Sequence, residues 1–258
     1  MIYLDHNATT PILSEVLEAM MPYLTTEWGN PSSAYKFGAR LKSVVETARE
    51  QVAELIGAPS RDVIFTSCAT ESNNAAIAAA LRATGVPPVQ GQSQIRAGRL
   101  CHAKRHIVTS QVEHSSVLNY CMALEKEGYR VTYLPVDREG LLNLSDLEAA
   151  ITDETAAVSL MWANNETGVL FPVERIAEIC QSRGVLYHCD AVQAAGKVEI
   201  DVRKIPVDYL SLTGHKFHAP KGIGALYVRR KSPFSPMVYG GHQERNPRFD
   251  PPRSRPWK

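Results

Sequence analysis

Apolar positions recur along this chain in two alternating rhythms. Leu13, Val16, Leu17 and Met20 fall at helical spacing, and Thr10-Pro11 ahead of them offers an N-cap followed by Pro at the first helical position. A longer helix is expected after the Asn30-Pro31-Ser32-Ser33 turn. Its apolar stripe is Leu41, Val44, Val45, Ala48, Val52, Leu55 and Ile56, with Gly57 as its stop. Short apolar runs then alternate with helical segments. Strands are predicted at 62–66, 106–109, 130–135, 156–161, 185–189, 208–212 and 223–229, and helices at 70–82, 115–127, 145–151 and 173–183. This alternation is the signature of an α/β fold, a mostly parallel sheet with helices on both faces. Two stretches break the rhythm. Residues 84–103 have no apolar period and read as a surface loop, and 246–258 are rich in Pro and Arg, which rules out a helix or an interior strand there.

Composition narrows the class without naming a chemistry. The 258 residues are 44% apolar and 21% charged, ordinary values for a globular protein with a proper core. A formal net charge of +1 gives no electrostatic argument for nucleic acid or an anionic membrane as partner. No apolar run approaches a membrane span, and Met1 leads into Ile2-Tyr3-Leu4-Asp5 rather than a signal peptide, so a cytoplasmic location is expected. The five cysteines (Cys68, Cys101, Cys121, Cys180 and Cys189) form no CxxC pair and read as reduced thiols. His215 and His218 lack a third ligand at a suitable spacing, so no metal site is expected.

Three strand ends could carry chemistry. The run from Val207 to Leu212 leads into Thr213-Gly214-His215-Lys216, and ligands of parallel α/β sheets bind beyond the carboxyl ends of strands. Lys216 is therefore either a lysine able to form a Schiff base with an aldehyde cofactor or a solvated surface charge. A second strand, Val185 to Cys189, ends at Asp190, with Gln193 just after it. Asp190 can pair with the ring nitrogen of pyridoxal phosphate, or simply cap a helix. The strand ending at Phe65 runs through Thr66-Ser67-Cys68-Ala69-Thr70-Glu71 into a helix, and a helix start suits a phosphate. Thr70 adds a hydroxyl to that start, or is only a cap.

Taken in order, these segments resemble the NifS-type cysteine desulfurases of the class V aminotransferase group. The wording runs from Tyr3-Leu4-Asp5-His6-Asn7-Ala8-Thr9-Thr10-Pro11 through Gly29-Asn30-Pro31-Ser32-Ser33 and Phe65-Thr66-Ser67-Cys68-Ala69-Thr70-Glu71-Ser72-Asn73. It continues with Glu113-His114, Trp162-Ala163-Asn164-Asn165-Glu166-Thr167-Gly168, Asp190-Ala191-Val192-Gln193 and Gly214-His215-Lys216. It closes with Ala219-Pro220-Lys221-Gly222 and Gly240-Gly241-His242-Gln243-Glu244-Arg245. The resemblance implies the large domain of a fold type I, pyridoxal 5'-phosphate (PLP)-dependent transferase over residues 1–245, with an N-terminal arm. It also implies a seven-stranded sheet.

Roles follow from the same resemblance. It makes Lys216 the Schiff-base lysine and Asp190 the partner of the pyridine nitrogen, with Gln193 and Asn165 on the ring-hydroxyl side. His114 is similar to the histidine stacked on the ring, which also relays protons. Ala69 and Thr70 match the phosphate-binding helix start, and Thr213 and His215 the other side of the phosphate cup. The implied reaction takes sulfur from L-cysteine, leaving L-alanine and an enzyme persulfide for a sulfur acceptor or iron-sulfur scaffold protein. The implied assembly is a homodimer, and the wording lies nearer the nitrogen-fixation branch.

The pattern departs from the family at Asn246, where relatives continue toward a nucleophilic cysteine and a carboxylate-clamping arginine. The expectation is therefore a C-terminally truncated family member, its small C-terminal domain missing and 246–258 outside the family pattern. Two alternatives stay open: a catalytically inactive PLP-binding chain, and a related lyase such as selenocysteine lyase.

Overall fold

The computed structural model describes residues 2–84, 104–235 and 237. The interior of the 84–103 loop, Cys101, the segment 240–245 and the tail from 246 lie outside the described residues. Seven strands form one sheet: β1 (Val63–Thr66), β2 (His106–Ser110), β3 (Arg130–Leu134), β4 (Thr155–Met161), β5 (Leu186–Asp190), β6 (Tyr209–Thr213) and β7 (Gly224–Val228), in the order β1-β7-β6-β5-β4-β2-β3. β7 runs antiparallel to both neighbours, and the remaining pairs are parallel. β1, β2, β4, β5 and β6 therefore all end on one rim. These bounds lie within a residue or so of the sequence prediction. Strands covered on both faces must be nearly continuously apolar, and that makes them easy to see in a sequence.

Among the described residues six α-helices accompany the sheet: α1 (Ser14–Thr25), α2 (Lys36–Leu55), α3 (Ala69–Ala83), α4 (Ser115–Lys126), α5 (Leu144–Ala150) and α6 (Val173–Ser182). Alternate strand residues face opposite layers. On one face Tyr187, Cys189, Leu210 and Leu212 pack with Ile176 and Cys180 of α6 and Ala53 of α2. On the other, Tyr209 and Leu226 meet Ala75, Ala76, Ala79 and Ala80 of α3. Those alanines let α3 lie close across the middle of the sheet, and they bring its first turn to the rim. α2 ends where expected: Gly57 adopts φ +67, and a Cβ there would meet Asp201 Oδ1 at 2.6 Å.

Three expectations fail locally. α1 begins at Ser14 with Leu13 at its cap, not at Thr10-Pro11. The Thr10 hydroxyl is used at long range instead: it donates to the carbonyl of His215 (3.0 Å) and accepts from the backbone N–H of His218 (2.7 Å). The α1 stripe is helical, yet no residue of this helix is buried. In α2, Leu55 is exposed while Arg49 is buried, its guanidinium donating to the Val63 carbonyl (3.0 Å) and lying over the Phe65 ring.

Candidate functional site

A cavity of about 230 Å³ opens at the carboxyl rim of the parallel strands. Its wall contains all nine residues singled out from the sequence: Ala69 and Thr70 from the start of α3, His114 after β2, Asn165 after β4, Asp190 and Gln193 after β5, and Thr213, His215 and Lys216 after β6. Ala8, Cys68, Met161, Ala163 and Val192 complete it. Short connections off adjacent parallel strands bring these distant sequence positions together.

Asp190 is buried at the end of β5. Its Oδ1 accepts from the Val192 N–H (3.0 Å) and its Oδ2 from Asn73 Nδ2 (2.7 Å). Burial raises its pKa, and it does so against those two hydrogen bonds and the charges of His114 and Lys216. A cation in the cavity would offset that desolvation. Asn73 also donates to the Ser116 hydroxyl (2.9 Å), so one buried amide links Asp190 to α4. Asn73 and Ser116 were missed as site residues because their link is purely tertiary.

His114 caps α4. Its Nδ1 accepts from the Ser116 N–H (3.1 Å), so the proton of the neutral ring sits on Nε2. Glu113, immediately before it, is buried. Its Oε1 accepts from the Ser110 hydroxyl (2.8 Å) and the Met161 N–H (3.0 Å), tying the ends of β2 and β4 together, and burial pushes its pKa up to about 8.

The start of α3 carries no side-chain cap. Glu71 reaches back instead to the N–H and hydroxyl of Ser67 (both 2.7 Å), which leaves the first turn's N–H groups directed at the cavity end. Cys68 sits at this cap. Burial raises its pKa, but the backbone N–H of Glu71, the Ser67 hydroxyl and Thr70 outweigh it, and the thiol is net lowered. In the sequence Cys68 stood out only as one of five reduced thiols. The buried thiols differ: burial pushes Cys121 and Cys180 up to about 12, and Cys189 well above its usual value.

Lys216 lies in a 3₁₀ turn directly after β6. Its Nζ donates to the carbonyls of Asn7 and Ala8, and Gln193 Nε2 donates to the same Asn7 carbonyl (2.9 Å). Burial lowers the Lys216 pKa, and the nearby Lys197 lowers it further, against Asp190, Asp5 and Glu166. His215 is lowered by burial and then by Lys216 and Lys221. The N-terminal segment thus crosses the cavity as a strap. The His215 and His218 Nδ1 atoms face Thr9 Oγ1 (3.2 Å) and the Pro11 carbonyl (3.0 Å) within it. Among the described residues no cluster of three His, Cys, Asp or Glu is placed to hold a metal ion.

Beneath the rim, His188 fixes the strands that carry these groups. Its Nδ1 pairs with Ser159 Oγ of β4 (2.8 Å) and its Nε2 with Ser211 Oγ of β6 (2.9 Å), and burial pushes its pKa down to about 3.

Known proteins are similar to this chain in sequence and in fold. A cysteine desulfurase from Trichormus variabilis is 53% identical over 247 residues, which is 96% of this chain and 58% of that protein. The Azotobacter vinelandii cysteine desulfurase NifS is 45% identical, again over 96% of this chain and 58% of the relative. This chain thus spans a little over half the length of these curated relatives. Among solved structures, a NifS-like protein superposes with a TM-score of 0.86 at 38% identity, covering 96% of this chain and 64% of that one. A structure described as SspA in complex with cysteine gives a TM-score of 0.85 at 37% identity, over 95% and 66%. Among the described residues no helix is long and apolar enough to cross a membrane. The sequence profile described as aminotransferase class-V matches residues 2–257, and the chain belongs to that family.

Proposed function

We propose that the rim cavity binds PLP and serves the removal of sulfur from L-cysteine. The observation that carries this is the meeting of a lysine amine and a buried carboxylate in one cavity, at the rim of a parallel sheet, beside an uncapped helix start. The residues fit the cofactor. Lys216 is the covalent attachment point, with an amine whose lowered pKa favours its nucleophilic form. Asp190, held by Asn73 and Val192 in one orientation, would pair with the ring nitrogen of the cofactor. Ala69, Thr70, Thr213 and His215 surround the end of the cavity suited to a phosphate, and Gln193 and Asn165 bring amide groups to its wall. When bound, PLP supplies an electron sink for a carbanion at the substrate α-carbon.

The chain's own groups handle protons and access. His114, oriented by Ser116, presents a ring nitrogen for proton transfer at the cavity wall. Lys216, once released from the strap carbonyls, is the second proton carrier. Sulfur transfer needs a thiolate, and the products are L-alanine and a protein persulfide passed to a sulfur acceptor or iron-sulfur scaffold protein. Function as a homodimer in the cytoplasm, in the service of nitrogen fixation, is part of the same proposal.

One observation favours a second reading, a chain that binds PLP and L-cysteine without turning over. Of the described cysteines, three are buried with raised pKa values, and the fourth, Cys68, lies at the helix-start end of the cavity that suits the phosphate. The decisive experiment adds L-cysteine and a reductant to the PLP-loaded chain and follows visible absorbance, alanine and sulfide. Equal release of alanine and sulfide supports the desulfurase. A spectral response without sulfide supports the second reading, and no spectral response contradicts both.

A further inference from the structure

Lys197 is absent from the motifs read in the sequence, yet it is linked to Lys216 through Gln193 and the Asn7 carbonyl. Val192 to Lys197 form a run of turns, with the Ala195 N–H bonded to the Ala191 carbonyl and the Lys197 and Val198 N–H groups to the Ala194 carbonyl, and this run brings Gln193 and Lys197 together. Gly196 permits it, with φ +74 and with Phe217 Cβ only 3.1 Å from the place a Cβ would take. Lys197 Nζ donates to Gln193 Oε1 at 2.8 Å. Among the described residues its partner is thus an amide oxygen rather than the carboxylate a surface lysine usually finds. The contact decides which way the amide points: with Oε1 held by a cation, Nε2 must face inward, where it donates to the Asn7 carbonyl at 2.9 Å. That carbonyl also accepts from Lys216 Nζ.

We propose that Lys197 is a positioning residue of the rim cavity: it fixes the Gln193 amide with its NH₂ inward and, through the shared Asn7 carbonyl, holds the N-terminal strap and the Lys216 amine in one arrangement. Its charge acts on the same amine. The charged and titratable groups around Lys216 are Asp190 at the end of β5, Asp5 in the strap, Glu166 after β4 and Lys197, with His215 adjacent and His114 across Asp190. Lys197 lowers the Lys216 pKa, whereas Asp190, Asp5 and Glu166 raise it. The proposal deepens the reading of the cavity as a PLP site, but its test needs no cofactor, so the two fail separately.

The experiment measures acetylation of Lys216 by acetic anhydride as a function of pH, read by peptide mass spectrometry on the full chain without PLP. Lys197→Met keeps the aliphatic stem and removes the charge. It should raise the labelling midpoint by about half a unit to one unit, so labelling below the midpoint falls about 3- to 10-fold. Backbone hydrogen exchange at Thr10, whose N–H is bonded to the His215 carbonyl, should quicken in the same variant. Lys197→Arg should restore both, and Lys204→Met, which removes an exposed charge paired with Glu199 and Asp201, should change neither. An unchanged midpoint in folded Lys197→Met would overturn the proposal. So would an equal shift in Lys204→Met, or a failure of Lys197→Arg to rescue.

Discussion

α3 and α1 both lead to the same cavity and are built in opposite ways. α3 buries nine of its fifteen residues, most of them alanines pressed on the sheet, so its first turn is as fixed as the core. α1 buries none of its twelve, and Leu13, Leu17 and Met21 remain more than two-fifths exposed. What joins α1 to the site is the strap before it, held by hydrogen bonds from Thr10, Gln193 and Lys216. The difference separates two duties. Groups that must not move sit on elements locked by burial, while the covering segment is tied by a few polar contacts that can open and close at small cost.

The largest expected effect lies in α3. Ala79→Asp places an unpaired carboxylate where Ala79 is 1% exposed, and should cost about 3–5 kcal/mol in urea unfolding. Acid should weaken the same rigid half. The His188 ring stays neutral in the fold, with a pKa near 3 against about 6.5 in an unfolded chain. The unfolded chain therefore takes up a proton below about pH 6.5 that the folded chain refuses until about 3. Stability is fully present above this window and is lost as pH falls through it, by up to about 1.4 kcal/mol per unit. His188→Gln should reduce that slope between pH 7 and pH 5, leaving the share of His106, which burial pushes down to about 4, and an unchanged slope would show that His188 is not a source of it.

Smaller effects are expected at the strap. Thr10→Val deletes a hydroxyl bonded to both His215 and His218, worth about 1–2 kcal/mol locally, and should speed exchange of the strap amides with little change in the global melt. Leu17→Gln should stay within about 0.5 kcal/mol of the parent. If Leu17→Gln proved as damaging as Ala79→Asp, the contrast between the two helices would not hold.

The same division marks what could be read from the chain. Buried parallel strands announce themselves as apolar runs, and the residues at their ends were found because such rims collect ligands. Lys216, Asp190 and Thr70 belong to that class. Thr10 was misread as a helix cap because its partners lie more than two hundred positions away. Asn73, Ser116 and the serine partners of His188 were missed for a related reason: only the pairing of β4, β5 and β6 and the packing of α3 bring them together. Lys197 is an intermediate case. Its spacing from Gln193 is visible in the sequence, but its effect on Lys216 appears only once the strap is in place.

The most direct test of the account is to incubate the chain with PLP, reduce it with borohydride and locate the pyridoxyl group by peptide mapping. The account predicts attachment at Lys216, and none on a folded Lys216→Ala variant. A label retained by that variant, or spread equally over Lys197 and Lys221, would contradict it.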